Sequence, residues 1–115
     1  MTAYRGCHAD WTLTRHYALY ATTDPSVAER YGAVHTLDLS ALHLVSTANL
    51  AQALIDADLT EYVGRDMAEI DLDADPWLGD SSDCYWLAEQ LDVDGIIDSH
   101  GNIEIWRARH AEELK

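Results

Sequence analysis

Apolar residues recur along this chain in short blocks, and their period shifts between two and about three and a half. Thr2–Arg5 opens with a block compatible with a strand, and Gly6 is expected to end it. Tyr17–Thr22, with two tyrosines in six positions, reads as a second strand. Asp24 and Pro25 then mark a helix start. The aspartate side chain accepts orphan amide hydrogen bonds at the N-cap, and proline suits the first helical position. That helix should stop at Gly32, a usual C′ residue. Ala33–Leu39 alternates as a half-buried strand, and Thr47–Ala57 sets Leu50, Ala51, Leu54 and Ile55 on one helical stripe. Pro76 and Gly79 punctuate a loop. Ser81 or Ser82 caps a further helix to about Leu91, with Cys84, Leu87, Ala88 and Leu91 on one face. Gly95–Ile97, a turn through Ser99–Asn102 and a last block Ile103–Trp106 read as strand, tight turn, strand, Gly101 supplying a positive φ. The expectation is an α+β domain with strands towards both ends and helices between them.

At 115 residues the chain has the length of a single domain, and its 48% hydrophobic content is that of a globular protein. No apolar run approaches ~18 residues, so no membrane span is expected. The first residues lack the apolar stretch of a signal peptide. Cys7 and Cys84 make no disulfide framework and no CxxC is present, which points to a reduced, cytoplasmic setting. The formal net charge is −14. It is unevenly placed, because Arg5, Arg15 and Arg30 balance Asp10, Asp24 and Glu29 within residues 1–35, and the excess lies beyond. Such a deficit of cations argues against phosphate neutralisation on nucleic acid and against an anionic membrane. An acidic surface keeps a domain soluble, and it also steers a basic protein partner.

Three places suggest chemistry. Arg5, next to Gly6, has a guanidinium suited to bidentate phosphate contact, and the glycine would let a ligand come close. A surface arginine at a strand end is the plainer account. Tyr20 and Tyr31, eleven residues apart, could clamp a planar ring, or serve as core or rim tyrosines with satisfied hydroxyls. Glu104 lies in an apolar strand, where alternation puts it with Trp106 on one face and Ile103 with Ile105 on the other. Either the isoleucines face the core and Glu104 faces solvent, or Glu104 lines a cleft as a functional carboxylate. Asp71, Asp73 and Asp75 imitate the opening of a calcium loop, but Pro76 and Ser82 occupy positions that need glycine and glutamate, so no metal is expected. His8 and His16 lie near the first two motifs without a paired ligand pattern, and Cys7 lacks an obvious base partner.

In order and spacing these places resemble the ADP-ribosyltransferase fold. The likeness runs through Ala3-Tyr4-Arg5-Gly6, Leu19–Asp24, Glu29-Arg30-Tyr31-Gly32, Val93–Ile97 and Ile103-Glu104-Ile105, then Glu112–Lys115. It is closer to the diphtheria-toxin and poly(ADP-ribose) polymerase branch, marked by a histidine–tyrosine–glutamate triad and two tyrosines eleven residues apart. Small phage and bacterial transferases, anti-CRISPR proteins among them, share the frame. Residues 41–85 take no part in the likeness. The resemblance implies one domain over 1–115, a small ADP-ribosyltransferase-like split β-sheet core with short helices, and NAD as the cofactor. Tyr20 and Tyr31 would sandwich the nicotinamide ring. Glu104 would hydrogen-bond the adjacent ribose and stabilise positive charge as nicotinamide leaves. Arg5 stands where the diphtheria-like branch has histidine and the other branch has a phosphate-contacting arginine. Thr22, following Tyr20 in place of that other branch's serine-threonine-serine motif, joins Arg5 and Gly6 in the implied cofactor site. Asn102 occupies the position, two before Glu104, where arginine-modifying members carry glutamate.

The expected activity is therefore NAD-dependent mono-ADP-ribosylation of a macromolecule, a basic protein rather than nucleic acid, by a phage effector or a toxin with an antitoxin or immunity partner. Two other outcomes use the same frame. One is a non-catalytic protein that blocks a basic partner through its acidic face. The other is an NAD glycohydrolase with water as acceptor.

Overall fold

A computed structural model describes residues 1–7, 19–63, 72, 81–107 and 112–113; for 7, 19, 81, 82, 112 and 113 only the backbone is considered. Twelve short elements follow in order: β1 Thr2–Cys7, β2 Leu19–Thr22, α1 Pro25–Ala28, a 3-10 turn Glu29–Tyr31, β3 Ala33–Asp38, β4 Leu44–Ser46, α2 Thr47–Asp56, a second 3-10 turn Thr60–Tyr62, α3 Ser81–Leu91, β5 Gly95–Ile97, β6 Asn102–Ile105 and β7 Glu112–Glu113. The α+β class is as expected. The strands lie in one hydrogen-bonded run, β4-β5-β6-β2-β1-β3-β7. The described strands thus form one continuous sheet where the resemblance implied a split core. Only β4 and β5 are parallel; the other neighbours are antiparallel.

Both faces of the sheet are buried around β6. On one, Leu50 and Leu54 of α2 and Cys84, Leu87 and Ala88 of α3 pack with Ile96 and Trp106. On the other, Ala3, Ala21, Leu37, Leu39, Ile103 and Ile105 form a second cluster. All four residues of β6 are buried. The choice posed by alternation in this strand was therefore too narrow: the isoleucines face one core and Glu104 with Trp106 face another.

Local chemistry accounts for several element ends. Asp24 caps α1 by accepting from the Ser26 amide, with Pro25 in the first turn. Ser46 caps α2 by accepting from the Asn49 amide. Asp58 and Asp92, at φ of 60° and 52°, take the left-handed position beyond α2 and α3 that glycine often fills. Gly101, at φ +85°, closes the β5–β6 turn, where a Cβ would also meet Thr23 Oγ1 at 2.1 Å. Two expectations need correction. Gly6 does not end β1, which pairs with β3 as far as Cys7 opposite Ala33. Ile55 does not join the buried stripe of α2, being 48% exposed; Thr47, two turns earlier, is buried instead. The loop read at Pro76 and Gly79 lies outside the described residues.

Two buried carboxylates tie the far end of the sheet. Asp94 Oδ1 accepts from Arg107 Nε at 2.9 Å, its Oδ2 accepts from the His43 amide, and its carbonyl accepts from the Trp106 and Arg107 amides. Asp98 Oδ1 accepts from the amides of His100 and Asn102, and its Oδ2 from Leu72 N and Asn102 Nδ2. No helix among the described residues is long and apolar enough to cross a membrane.

Removing one partner of the buried Arg107–Asp94 pair strands the other charge. Arg107→Ala should therefore cost about 3–5 kcal/mol in denaturant unfolding. A result within 1 kcal/mol of wild type would show that water reaches Asp94.

Candidate functional site

The first two strands and the turn between β2 and β3 bring the tyrosines together. Asp24 starts α1 directly after β2, and the following 3-10 turn delivers Tyr31 beside Gly6. A Cβ on Gly6 would lie 1.8 Å from the Ala28 carbonyl oxygen and 3.1 Å from Tyr31 Cβ. Glycine here lets the helix, rather than a ligand, come close to the strand. The Tyr20 and Tyr31 rings meet with centroids 5.4 Å apart, tilted by 58°. Tyr31 is 40% exposed while Tyr20 is half-buried.

Glu104 lies directly across from Tyr20 in the β2–β6 ladder, with Asn102 across from Thr22. Directly paired residues share a face, so Tyr20, Thr22, Asn102 and Glu104 form one polar strip. The Tyr20 hydroxyl donates to Asn102 Oδ1 at 2.9 Å, and Asn102 Nδ2 donates on to Asp98 Oδ2 at 3.1 Å. Glu104 is 5% exposed. Its Oε1 accepts from Trp106 Nε1 at 3.0 Å and from the Cys84 thiol at 3.8 Å. A buried carboxylate needs such donors, because desolvation without them is costly. Cys84 takes part in no disulfide among the described residues.

Thr22 and Arg5 stand differently. Thr22 is fully buried, and its hydroxyl accepts from the Asp24 amide at 3.1 Å, so it supports the start of α1. Arg5 follows Tyr4, which pairs with Thr22, and faces His35 across β3. Strand alternation therefore puts it on the Ala3 face, away from the Tyr20 ring and Glu104. Its Nη1 donates to the Tyr20 carbonyl at 2.8 Å. The structure thus gathers Tyr20, Tyr31, Gly6, Thr22 and Glu104 on one side and leaves the Arg5 side chain on the other. Sequence reasoning passed over Asn102 as a holder of Tyr20. Its offset of two from Glu104 was the available signal, since two residues along a strand return to the same face.

His8, His16, Asp71, Asp73 and Asp75 lie outside the described residues. Among the described residues no three His, Cys, Asp or Glu side chains group to hold a metal. A shallow groove of about 570 Å³ runs between β4 and α2, lined by His43, Ser46, Asn49, Gln52 and Asp56 among others. It lies at the β4 edge of the sheet, apart from the tyrosine pair. Searches against family models, curated proteins and solved structures found no match for the chain.

Hydrogen bonds from Ser26, helped by Arg30, hold the Asp24 carboxyl below the 3.8 of a free aspartate. A lowered folded value means that the ionised cap stabilises the fold above the unfolded pKa, and that this support is lost as pH falls through the folded one. Between pH 5 and pH 2, wild type should lose more thermal stability than Asp24→Asn, whose neutral side chain still caps. Parallel melting-temperature curves would remove Asp24 from this role.

Proposed function

We propose that the chain is an NAD-dependent mono-ADP-ribosyltransferase acting on a protein. The observation that supports this most is that two tyrosines eleven residues apart are in ring contact, with a carboxylate directly across the ladder from the first. Nicotinamide would stack on Tyr20. Two rings that enclose a third lie about 7 Å apart, so Tyr31 must swing outward from its 5.4 Å contact. Its exposure and its place at the end of a three-residue turn allow this. NAD supplies a glycosidic bond whose cleavage leaves positive charge on the ribose. The Glu104 carboxylate would stand against that charge, oriented by the Trp106 indole. Asn102 fixes the Tyr20 hydroxyl and so the ring's orientation. The uncharged balance of residues 1–35 suits a dianionic diphosphate, and the acidic remainder suits a basic protein target. A small effector or toxin fits this size.

A second reading is favoured by the depth of Glu104, which is 5% exposed and hydrogen-bonded to its neighbours. In that reading the carboxylate is a core group, and the protein binds and blocks a basic partner without turnover.

Incubation with labelled NAD and a bacterial lysate separates the two. The transferase reading expects label on protein and a loss of about a hundred-fold or more in Glu104→Gln, which keeps the shape and removes the charge. Glutamine also retains an acceptor for Trp106, so its melting temperature should stay near wild type. Absence of label together with no thermal stabilisation by NAD would overturn the transferase. Nicotinamide release without labelled protein would assign the glycohydrolase instead.

A further inference from the structure

The solvent side of α3 carries a tryptophan between two acids. Asp83, Trp86 and Glu89 are all exposed and follow at intervals of three, which places them along one helical face. Trp86 is 40% exposed, so part of its indole face is presented to solvent. Its ring lies 6.2 Å from that of Tyr62, tilted by 39°, in the second 3-10 turn. Partial burial pushes the Tyr62 phenol up, and the carboxylates of Asp83 and Glu61 push it further, so both acids bear on this ring. Residues 31–64 and 66–106 contain no lysine or arginine. Helix α2, the second 3-10 turn and α3 thus carry no cation of their own, and Arg65, three residues beyond Tyr62, lies outside the described residues.

We propose that Trp86 and Tyr62, framed by Asp83, Glu89 and Glu61, form a seat for an arginine side chain of a protein partner. A guanidinium is planar and weakly hydrated, so it can stack on the indole while its edge donates to flanking carboxylates. A lysine ammonium gains less from a flat face, and an apolar side chain would leave three carboxylates beside it unanswered. Apart from the Tyr20–Tyr31 pair at the candidate site, the described acidic residues lie without such an aromatic pair, so Trp86 and Tyr62 give an otherwise diffuse attraction a fixed point. The seat builds on the basic-partner expectation and serves both the transferase and the blocking reading. Its test uses no NAD, so its failure is distinct from failure of the chemistry.

The test is NMR titration of the 15N-labelled chain with the peptide Ac-Gly-Arg-Gly-Arg-Gly-amide, following the Trp86 indole N–H. A saturable shift of that resonance is expected, with little or none from the citrulline peptide, which keeps the shape without the charge. Trp86→Ala should weaken binding roughly two- to five-fold, and Trp86→Phe, which keeps an aromatic face, should weaken it less. Asp83→Asn should weaken binding more than Glu29→Gln, although each removes one exposed carboxylate. An unmoved Trp86 indole, unchanged affinity in Trp86→Ala, or equal losses in Asp83→Asn and Glu29→Gln would each overturn the seat and leave only general charge attraction.

Discussion

The indole N–H of Trp106 on the carboxylate of Glu104 is the contact on which the sheet's centre depends. Every residue of β6 is buried, so the strand has no wet side on which to put a charge. A glutamate there must be held by donors from within, and Trp106, two residues on and on the same face, provides one, with the Cys84 thiol of α3 as another. The same requirement fixes the neighbours. Asn102, again two residues away, is held between the Tyr20 hydroxyl and Asp98. The polar strip is thus a product of burial: each member is anchored because leaving it unanchored would cost about 1–3 kcal/mol.

This strip is also where packing and chemistry compete for one group. A carboxylate oriented by an indole and shielded from water is well preorganised to meet developing positive charge. The same carboxylate is equally well suited to tie α3 to the sheet. Tyr31 adds an asymmetry, because it sits on the exposed rim while Tyr20 and Glu104 sit inward. Of the strip's members, Tyr20 is the one in ring contact with that exposed tyrosine, whereas Glu104 is held by Trp106 and Cys84 within the core.

Much of the frame could be read from residues whose preference is local. Asp24 and Pro25 announce α1 because capping involves only neighbouring atoms. Gly101 announces the β5–β6 turn because a positive φ is a property of one residue. The face shared by Cys84, Leu87 and Ala88 follows from helical spacing alone. What stayed illegible depends on partners far along the chain. Nothing in the three residues of β4 says that they lie parallel to β5. Ile103 and Glu104 cannot declare that both sides of their strand are covered, since the covering helices and strands come from elsewhere. At the candidate site, the tyrosine pair came from spacing, whereas the opposite-face position of Arg5 follows from the pairing of Tyr4 with Thr22, which no local signal fixes.

The place of β6 in the sheet has a consequence for how the chain comes to be folded. Its hydrogen-bonding partner β2 precedes it by some eighty residues, Tyr20 and Asn102 being 82 apart. During synthesis β1, β2 and β3 emerge early and can associate, but one edge of β2 stays open until residue 102 has left the ribosome. That open edge is the kind of surface on which chains pair wrongly with one another. Loop closure over such a distance is also slow compared with helix formation. A nascent chain therefore carries an unpaired β2 edge through the whole interval between synthesis of Thr22 and of Asn102.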